Sequence, residues 1–138
     1  MKTIIGILLL IGISLNGFGQ LEIGKTLDQI KQIYPANEYT VAQDLTTNGF
    51  IRYAVVHTSY VEIFLFNATI KKCGVIYIIP GNEYGFQFNI KEFNKKYTVI
   101  IPNKIWQTVN LDFDIKIELT TTEIGDLGLK RCFVITPI

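Results

Sequence analysis

The chain has little of what catalytic and metal chemistry usually draws on. Among 138 residues there is one histidine, one tryptophan, one methionine and two cysteines. Past residue 19 the single serine is Ser59. Zinc sites and nucleophile–base pairs need several such side chains to converge. The sequence has no H-E-x-x-H, no paired C-x-x-C, no G-x-S-x-G and no P-loop. His57 and Ser59 fall in one short turn, which puts His57 toward solvent and gives poor geometry for a base and its nucleophile. A carboxylate pair such as Glu62 with Glu83 is left open, because proximity in space is not legible in a sequence. No catalytic residue, metal ligand or cofactor site is assigned, and the chain reads as non-enzymatic.

Charge is also scarce. Charged residues make up 18% of the chain, and the formal net charge of +1 disappears when Lys2 is set aside. Without a basic run there is no electrostatic footprint for nucleic acid or an anionic membrane. No stretch rich in Pro, Gly or Ser divides the chain, so one domain is expected.

The N-terminus reads as an address. Lys2 is a minimal positive flank, Ile4 to Leu15 is apolar, and Gly17-Phe18-Gly19 offers the small residues of a cleavage site. The apolar run is shorter than the roughly 20 residues of a membrane span. Residues 1–19 are therefore expected to be a cleaved secretory signal and 20–138 the exported domain, periplasmic or extracellular, with no stable membrane insertion. No cysteine follows the apolar run, which disfavours a lipid anchor. Cys73 and Cys132 both lie in strand-like runs. An oxidising compartment permits a disulfide between them, and buried free thiols remain open as the alternative.

Phe50 to Pro80 is the organising stretch, with three runs rich in β-branched and aromatic residues separated by short polar breaks. Asn48-Gly49 before it is a strong hairpin signal, since both residues tolerate the positive φ of a type I′ turn. A strand over 39–45 then pairs with one over 50–57, and His57-Thr58-Ser59-Tyr60 and Asn67-Ala68-Thr69-Ile70 turn the chain into a meander. If both turns are two-residue loops, one face carries Ile51, Tyr53, Val55, Phe64, Phe66 and Cys73. The other carries Ala54, Val56, Val61, Ile63, Leu65, Ile76 and Ile78. A sheet with one wet face alternates apolar with polar residues, whereas here both faces are apolar. Val61, Ile63, Leu65, Ile76 and Ile78 thus form a candidate interaction surface.

Two short helices flank the meander. Thr26 and Gln29 make a capping box, Leu27, Ile30 and Tyr34 share a face, and Pro35 ends the run. A second helix is expected to start at an Asn89 cap with Glu92 three residues on and Phe88 stapled to Phe93. Its core stripe is Ile90, Phe93 and Tyr97, with Lys91, Lys95 and Lys96 off it. The two helices look alike but the strands after them do not, so shared capping physics explains the likeness better than duplication. Beyond, Val99-Ile100-Ile101 reads as a short strand confined by Pro102, and Trp106 as a core anchor with its N–H bonded outward. Leu111 to Thr120 alternates Phe113, Ile115, Ile117 and Leu119 inward with Asp112, Asp114, Lys116 and Glu118 outward. A polar loop over 120–128 and a closing strand over 129–138 complete an α+β fold: a single antiparallel sheet, meander plus C-terminal strands, with two short helices packed on one face.

Gly24-Lys25-Thr26-Leu27-Asp28-Gln29-Ile30 resembles the helix start of small exported SmpA/OmlA-like and β-lactamase-inhibitor-like modules. The resemblance spans about ten residues. It implies short helices on an antiparallel sheet and function through protein–protein contact. The chain departs from the lipoprotein members in lacking a lipidation cysteine, and its second helix follows the meander instead of preceding the sheet.

The expected function is that of an exported, non-enzymatic binding protein acting on a protein partner or by self-association, of which a periplasmic inhibitor or immunity-type protein is one concrete form. The alternative is a carrier of a lipid or other apolar small molecule, held between sheet and helix by Phe64, Phe66, Phe93 and Trp106.

Overall fold

A computed structural model describes residues 22–108 and 114–138. The expected signal over 1–19 and the positions Leu111, Asp112 and Phe113 lie outside the described residues. The chain runs α1 (Leu27–Ile33), β1 (Thr40–Leu45), β2 (Phe50–Val56), β3 (Tyr60–Asn67), β4 (Cys73–Pro80), α2 (Glu83–Lys96), β5 (Thr98–Ile101), β6 (Ile105–Thr108), β7 (Ile115–Glu123) and β8 (Leu129–Pro137). All eight strands join one antiparallel sheet in the order β1-β2-β3-β4-β8-β7-β6-β5.

That order is symmetric about the β4–β8 pairing. Each half is a helix followed by a four-stranded meander, and the last strands of the two halves meet in the middle. Leu27, Ile30 and Tyr34 of the first helix region have the spacing of Ile90, Phe93 and Tyr97 in the second, and all six are buried. The likeness of the helices, expected to be a matter of capping alone, thus extends to the topology that follows each.

Local chemistry explains most of the elements. Thr26 caps α1 through the full capping box, its side chain accepting from the Gln29 backbone N–H while Gln29 accepts from that of Thr26. The second helix starts earlier than expected. Asn82, not Asn89, is its N-cap, accepting from the Gly85 N–H at 2.9 Å. Asn89 lies about two turns past that cap, buried, and donates to the Gly85 carbonyl at 2.7 Å. Both asparagines fit the cap pattern, and the turn-rich Gly81-Asn82 entry decides between them.

The hairpins depart from the expected geometry in two places. At Asn48-Gly49 only Gly49 has positive φ, at 83°. Thr46 pairs with Phe50 across a three-residue loop, its N–H donating to the Phe50 carbonyl at 2.8 Å. This is the one-glycine, bulged hairpin, not type I′. The His57–Tyr60 turn is the expected two-residue loop, with the His57 N–H bonded to the Tyr60 carbonyl at 2.9 Å. The Asn67 turn is longer. The Lys71 N–H bonds the Asn67 carbonyl, Lys71 takes φ 54°, and the register then shifts so that Leu65 faces Val75 but Phe66 faces Cys73.

Gly74 is the extra residue in that shift, and it reverses part of the expected facing. A one-residue bulge puts every side chain beyond it on the other face. Ile76 and Ile78 pair with Phe64 and Glu62 and are fully buried in the main core with Cys73. They are not on the face of Ile63 and Leu65 as the two-residue-loop assumption placed them.

The main core joins Leu27 and Ile30 of α1, and Phe86, Ile90 and Phe93 of α2, to Tyr53, Phe64, Phe66, Ile76, Ile117, Phe133 and Ile135 of the strands. Phe93 sits 5.1 Å edge-on to Phe133 and 5.3 Å from Trp106, centroid to centroid. Trp106 is completely buried and its Nε1–H donates to Asn94 Oδ1 at 2.8 Å, the outward bond expected of it. The polar loop expected over 120–128 is strand over its first four residues, because β7 continues to Glu123 opposite Leu129 before a 3-10 turn at Gly125–Leu127. Replacing Phe93 with alanine should remove about 3–5 kcal/mol of unfolding free energy. Urea denaturation of the two proteins measures it, and a loss under about 1 kcal/mol would mean that this ring cluster is not packed as described.

Candidate functional site

Strand residues alternate faces, so the partners of Ile63 and Leu65 form a second apolar surface. Ile63, Ile124 and Cys132 are buried there, with Ala54, Val61, Leu65, Tyr77, Ile79 and Val134 packed around them half-exposed. The β7–β8 hairpin builds this side. β8 pairs with β4 through Phe133, Val134 and Ile135, whereas β7 stays paired with β8 along its length. The free end of the hairpin therefore leaves β4 and brings Ile124 and Cys132 against Ile63.

One ion-pair group fastens that end. Arg52 of β2, 8% exposed, points to this face. Its Nε donates to Asp44 Oδ1 at 2.8 Å, its Nη2 bonds the other oxygen of Asp44, and its Nη1 donates to Asp126 Oδ1 at 2.9 Å. The fork is bidentate toward the neighbouring strand and single toward the 3-10 turn. The guanidinium bonds hold the Asp44 carboxyl below the usual range. Asp126 is 75% exposed, so this second bond is a surface ion pair of modest strength.

Between the hairpin end and the first meander lies a groove of about 690 Å³. Phe50, Leu65, Ile70, Val75, Tyr77 and Ile124 give it an apolar lining, and Arg52, Asn67, Lys72 and Glu123 supply polar atoms. Ile23 and Gly24, from the segment before α1, close one side.

A different arrangement sits under the first half of the main core. Glu62 is 1% exposed, with Oε1 3.0 Å from His57 Nε2 and a hydrogen bond from Tyr34. Burial raises the Glu62 pKa, and the His57 and Tyr34 bonds oppose the shift. Tyr60 stacks on His57 at 4.3 Å, and Tyr34 meets the same ring edge-on at 5.6 Å. His57 is thus turned inward, its side chain 16% exposed, and not toward solvent as its turn position suggested. Glu22 is 3% exposed and its Oε2 has no hydrogen-bond partner among the described residues. Burial first and the Glu62 charge second raise Glu22 from 4.5 to about 7.

The residues singled out from the sequence are divided by these two regions. Val61, Ile63 and Leu65 lie on the second face, with Leu65 in the groove and Ile63 too buried to touch a partner. Ile76 and Ile78 belong to the main core. Cys73 and Cys132 are free, buried thiols in different apolar clusters on opposite faces, so no disulfide joins them. Burial raises Cys73 to about 12 and Cys132 to about 11. The carrier cavity expected around Phe64, Phe66, Phe93 and Trp106 is filled by those rings themselves, each fully buried. Glu83 opens α2 at the surface, bonded to Gln87 and Arg131, and the carboxyl that acts on Glu62's neighbourhood is that of Glu22. Asp114 is exposed. Among the described residues no group of His, Cys, Asp and Glu is placed to hold a metal ion, and no helix is long and apolar enough to cross a membrane.

Arg52 and Glu22 escaped the sequence reading. Arg52 interrupts an otherwise apolar strand and Glu22 stands between Leu21 and Ile23, which is the only local signal either gives. No family model, no curated protein and no solved structure matches the chain.

Two expectations follow. Intact mass should be the same with and without reductant, and both thiols should react with a thiol reagent only after unfolding; a gain of two hydrogens on reduction contradicts the separation of the cysteines. The Glu22 carboxyl holds its proton more tightly folded than unfolded. Its stabilisation is therefore complete below about 4.5 and lost as pH rises through about 7, a difference of about 3 kcal/mol. Denaturation from acid to neutral pH should show wild type losing stability that Glu22→Gln keeps; parallel profiles would place Glu22 in water.

Proposed function

We propose that the protein is an exported, non-enzymatic binding protein whose ligand is a small apolar molecule seated in the groove of the second face. Both helices, on this reading, cover one face of the sheet and leave the other to the ligand. The groove carries the proposal. Its volume of about 690 Å³ falls within the roughly 300–1,000 Å³ of small-molecule sites. An apolar lining with a few polar atoms at one end is the usual composition of such sites. The main core supports the same division of labour, since its rings leave no room for a guest. The chemistry on this face is that of holding, because Arg52 is occupied by two carboxylates and burial pushes the Cys73 thiol at the wall up to about 12, away from its nucleophilic thiolate form.

A second reading has an observation of its own. Phe50 and Ile70, both exposed, stand on the two hairpin tips beside the groove. A protein partner could rest on them and insert one side chain, in keeping with the contact function that the SmpA/OmlA-like resemblance implies.

Nile red, a neutral apolar dye, tests the first reading. It should bind saturably with enhanced fluorescence, and Leu65→Arg should weaken it at least about tenfold while leaving the melting temperature within a few degrees. Absence of saturable binding, or equal binding by a folded Leu65→Arg variant, contradicts a small-molecule groove.

A further inference from the structure

We propose that the segment from Glu22 to Thr26 is a proton-operated latch on the groove, seated while the Glu22 carboxyl is protonated and released when it ionises. The inference rests on the reading of the groove as a binding site.

The segment is laid on the start of β4 as a minimal extra strand. The Gly24 N–H donates to the Cys73 carbonyl at 2.8 Å, the Cys73 N–H donates to the Lys25 carbonyl at 2.8 Å, and the Leu27 N–H donates to the Lys71 carbonyl at 3.2 Å. A lone bridge between Thr26 and Lys72 completes the pairing. Gly24 has φ 86°, which lets the chain turn from this pairing toward the core. Ile23 and Gly24 then stand as part of the groove wall while Glu22 reaches under it. Three backbone bonds and the burial of Ile23 in the main core hold this wall, and a terminal segment of this kind opens locally at less than the cost of global unfolding.

Glu22 is the unusual part. Its carboxyl has one backbone hydrogen bond but leaves Oε2 buried and unpartnered among the described residues, and burying a charge so incompletely satisfied is costly. The backbone bonds that seat the segment do not use this side chain, so its acidity is not needed for the pairing. The groups coupled to it come from every element around it. Glu62 of β3 acts on its carboxyl directly, and the Glu22 charge in turn raises Tyr60 of β3, Tyr34 at the end of α1, Cys73 of β4 and Tyr97 at the end of α2. Tyr97 Oη, like Glu22 Oε2, is buried with no hydrogen-bond partner among the described residues. Lys25, half-exposed on the segment itself, is the one cation that favours the charged form of Glu22, and His57 is engaged with Glu62. An ionised Glu22 therefore faces a second carboxyl in a buried setting. Moving the segment into water relieves it. Departure of Ile23 and Gly24 widens the groove on the same side.

Backbone amide exchange, corrected for the intrinsic effect of pH, tests this on the whole protein. In wild type the protection of the Gly24 and Cys73 amides should fall at least about tenfold from mildly acid to mildly alkaline pH, with amides of β7 and β8 unchanged. Glu22→Gln, which keeps shape and removes charge, should hold the protection across the range. Equal protection in the two proteins at every pH overturns the latch. Nile red affinity measured over the same range separates the two ideas. Affinity that changes with pH in wild type but not in Glu22→Gln supports a latch acting on the groove, and affinity indifferent to pH in both overturns that action. No binding at any pH overturns the groove reading itself, while amide exchange still decides whether the segment moves.

Discussion

Three residue pairs join the sheets of the two halves into one: Ile76 with Ile135, Tyr77 with Val134, and Ile78 with Phe133. They join the last strand of each meander. Without them each half would end in an unpaired central strand, apolar on both faces and open to association. With them the free edges of the sheet are β1 and the four-residue β5. One side of the seam, through Ile76, Ile78, Phe133 and Ile135, is the middle of the main core. The other side, through Tyr77 and Val134, is the floor of the second face. Because the seam is so short, β8 and its partner β7 are free of β4 beyond Phe133. They overhang the first meander there, and that overhang makes a groove out of a sheet face.

The halves share a topology but not a chemistry. The second half fills its core with Trp106, Phe93 and Phe133 in direct ring contact. The first places Glu62 and His57 among Tyr34, Tyr39 and Tyr60, and adds Glu22 from outside the sheet. The strand position beside the seam makes the contrast plain. Glu62 lies opposite Ile78 in one half, whereas Ile117 lies opposite Ile135 in the other. An apolar residue serves the fold there, and the acid adds a desolvation cost that packing alone does not require. Buried titratable groups of this kind concentrate where a protein responds to its surroundings. The acidic half also supplies most of the groove's lining.

Much of the architecture was legible because it follows from local rules. Thr26 with Gln29, Pro35 after Tyr34, and alternation along 115–119 each state an element within a few residues. The sheet's two apolar faces were legible from composition alone. Errors arose where one residue changes a parity or two residues compete. Gly74 reads as an ordinary break and yet moves Ile76 and Ile78 to the opposite face. Asn82 and Asn89 both fit a helix start, and it is the earlier one whose side chain caps the first turn. The candidate site was less legible than the fold. Arg52 and Asp126 are 74 positions apart, and nothing local in either announces the bond. Glu62 alternates correctly for a strand, so its burial depends on which face the register selects. Cys73 and Cys132 differ only in which apolar face receives them, and that is set by the bulge and the seam together.

The central claim is that the second face, and not the ring-filled core, holds the ligand. Methyl-selective NMR with an apolar guest such as Nile red tests it residue by residue. The account predicts shifts concentrated at Leu65, Val75 and Ile124, with Ile76, Ile78 and Ile117 still. Shifts centred on those three core isoleucines, or no shifts at saturating guest, would contradict it.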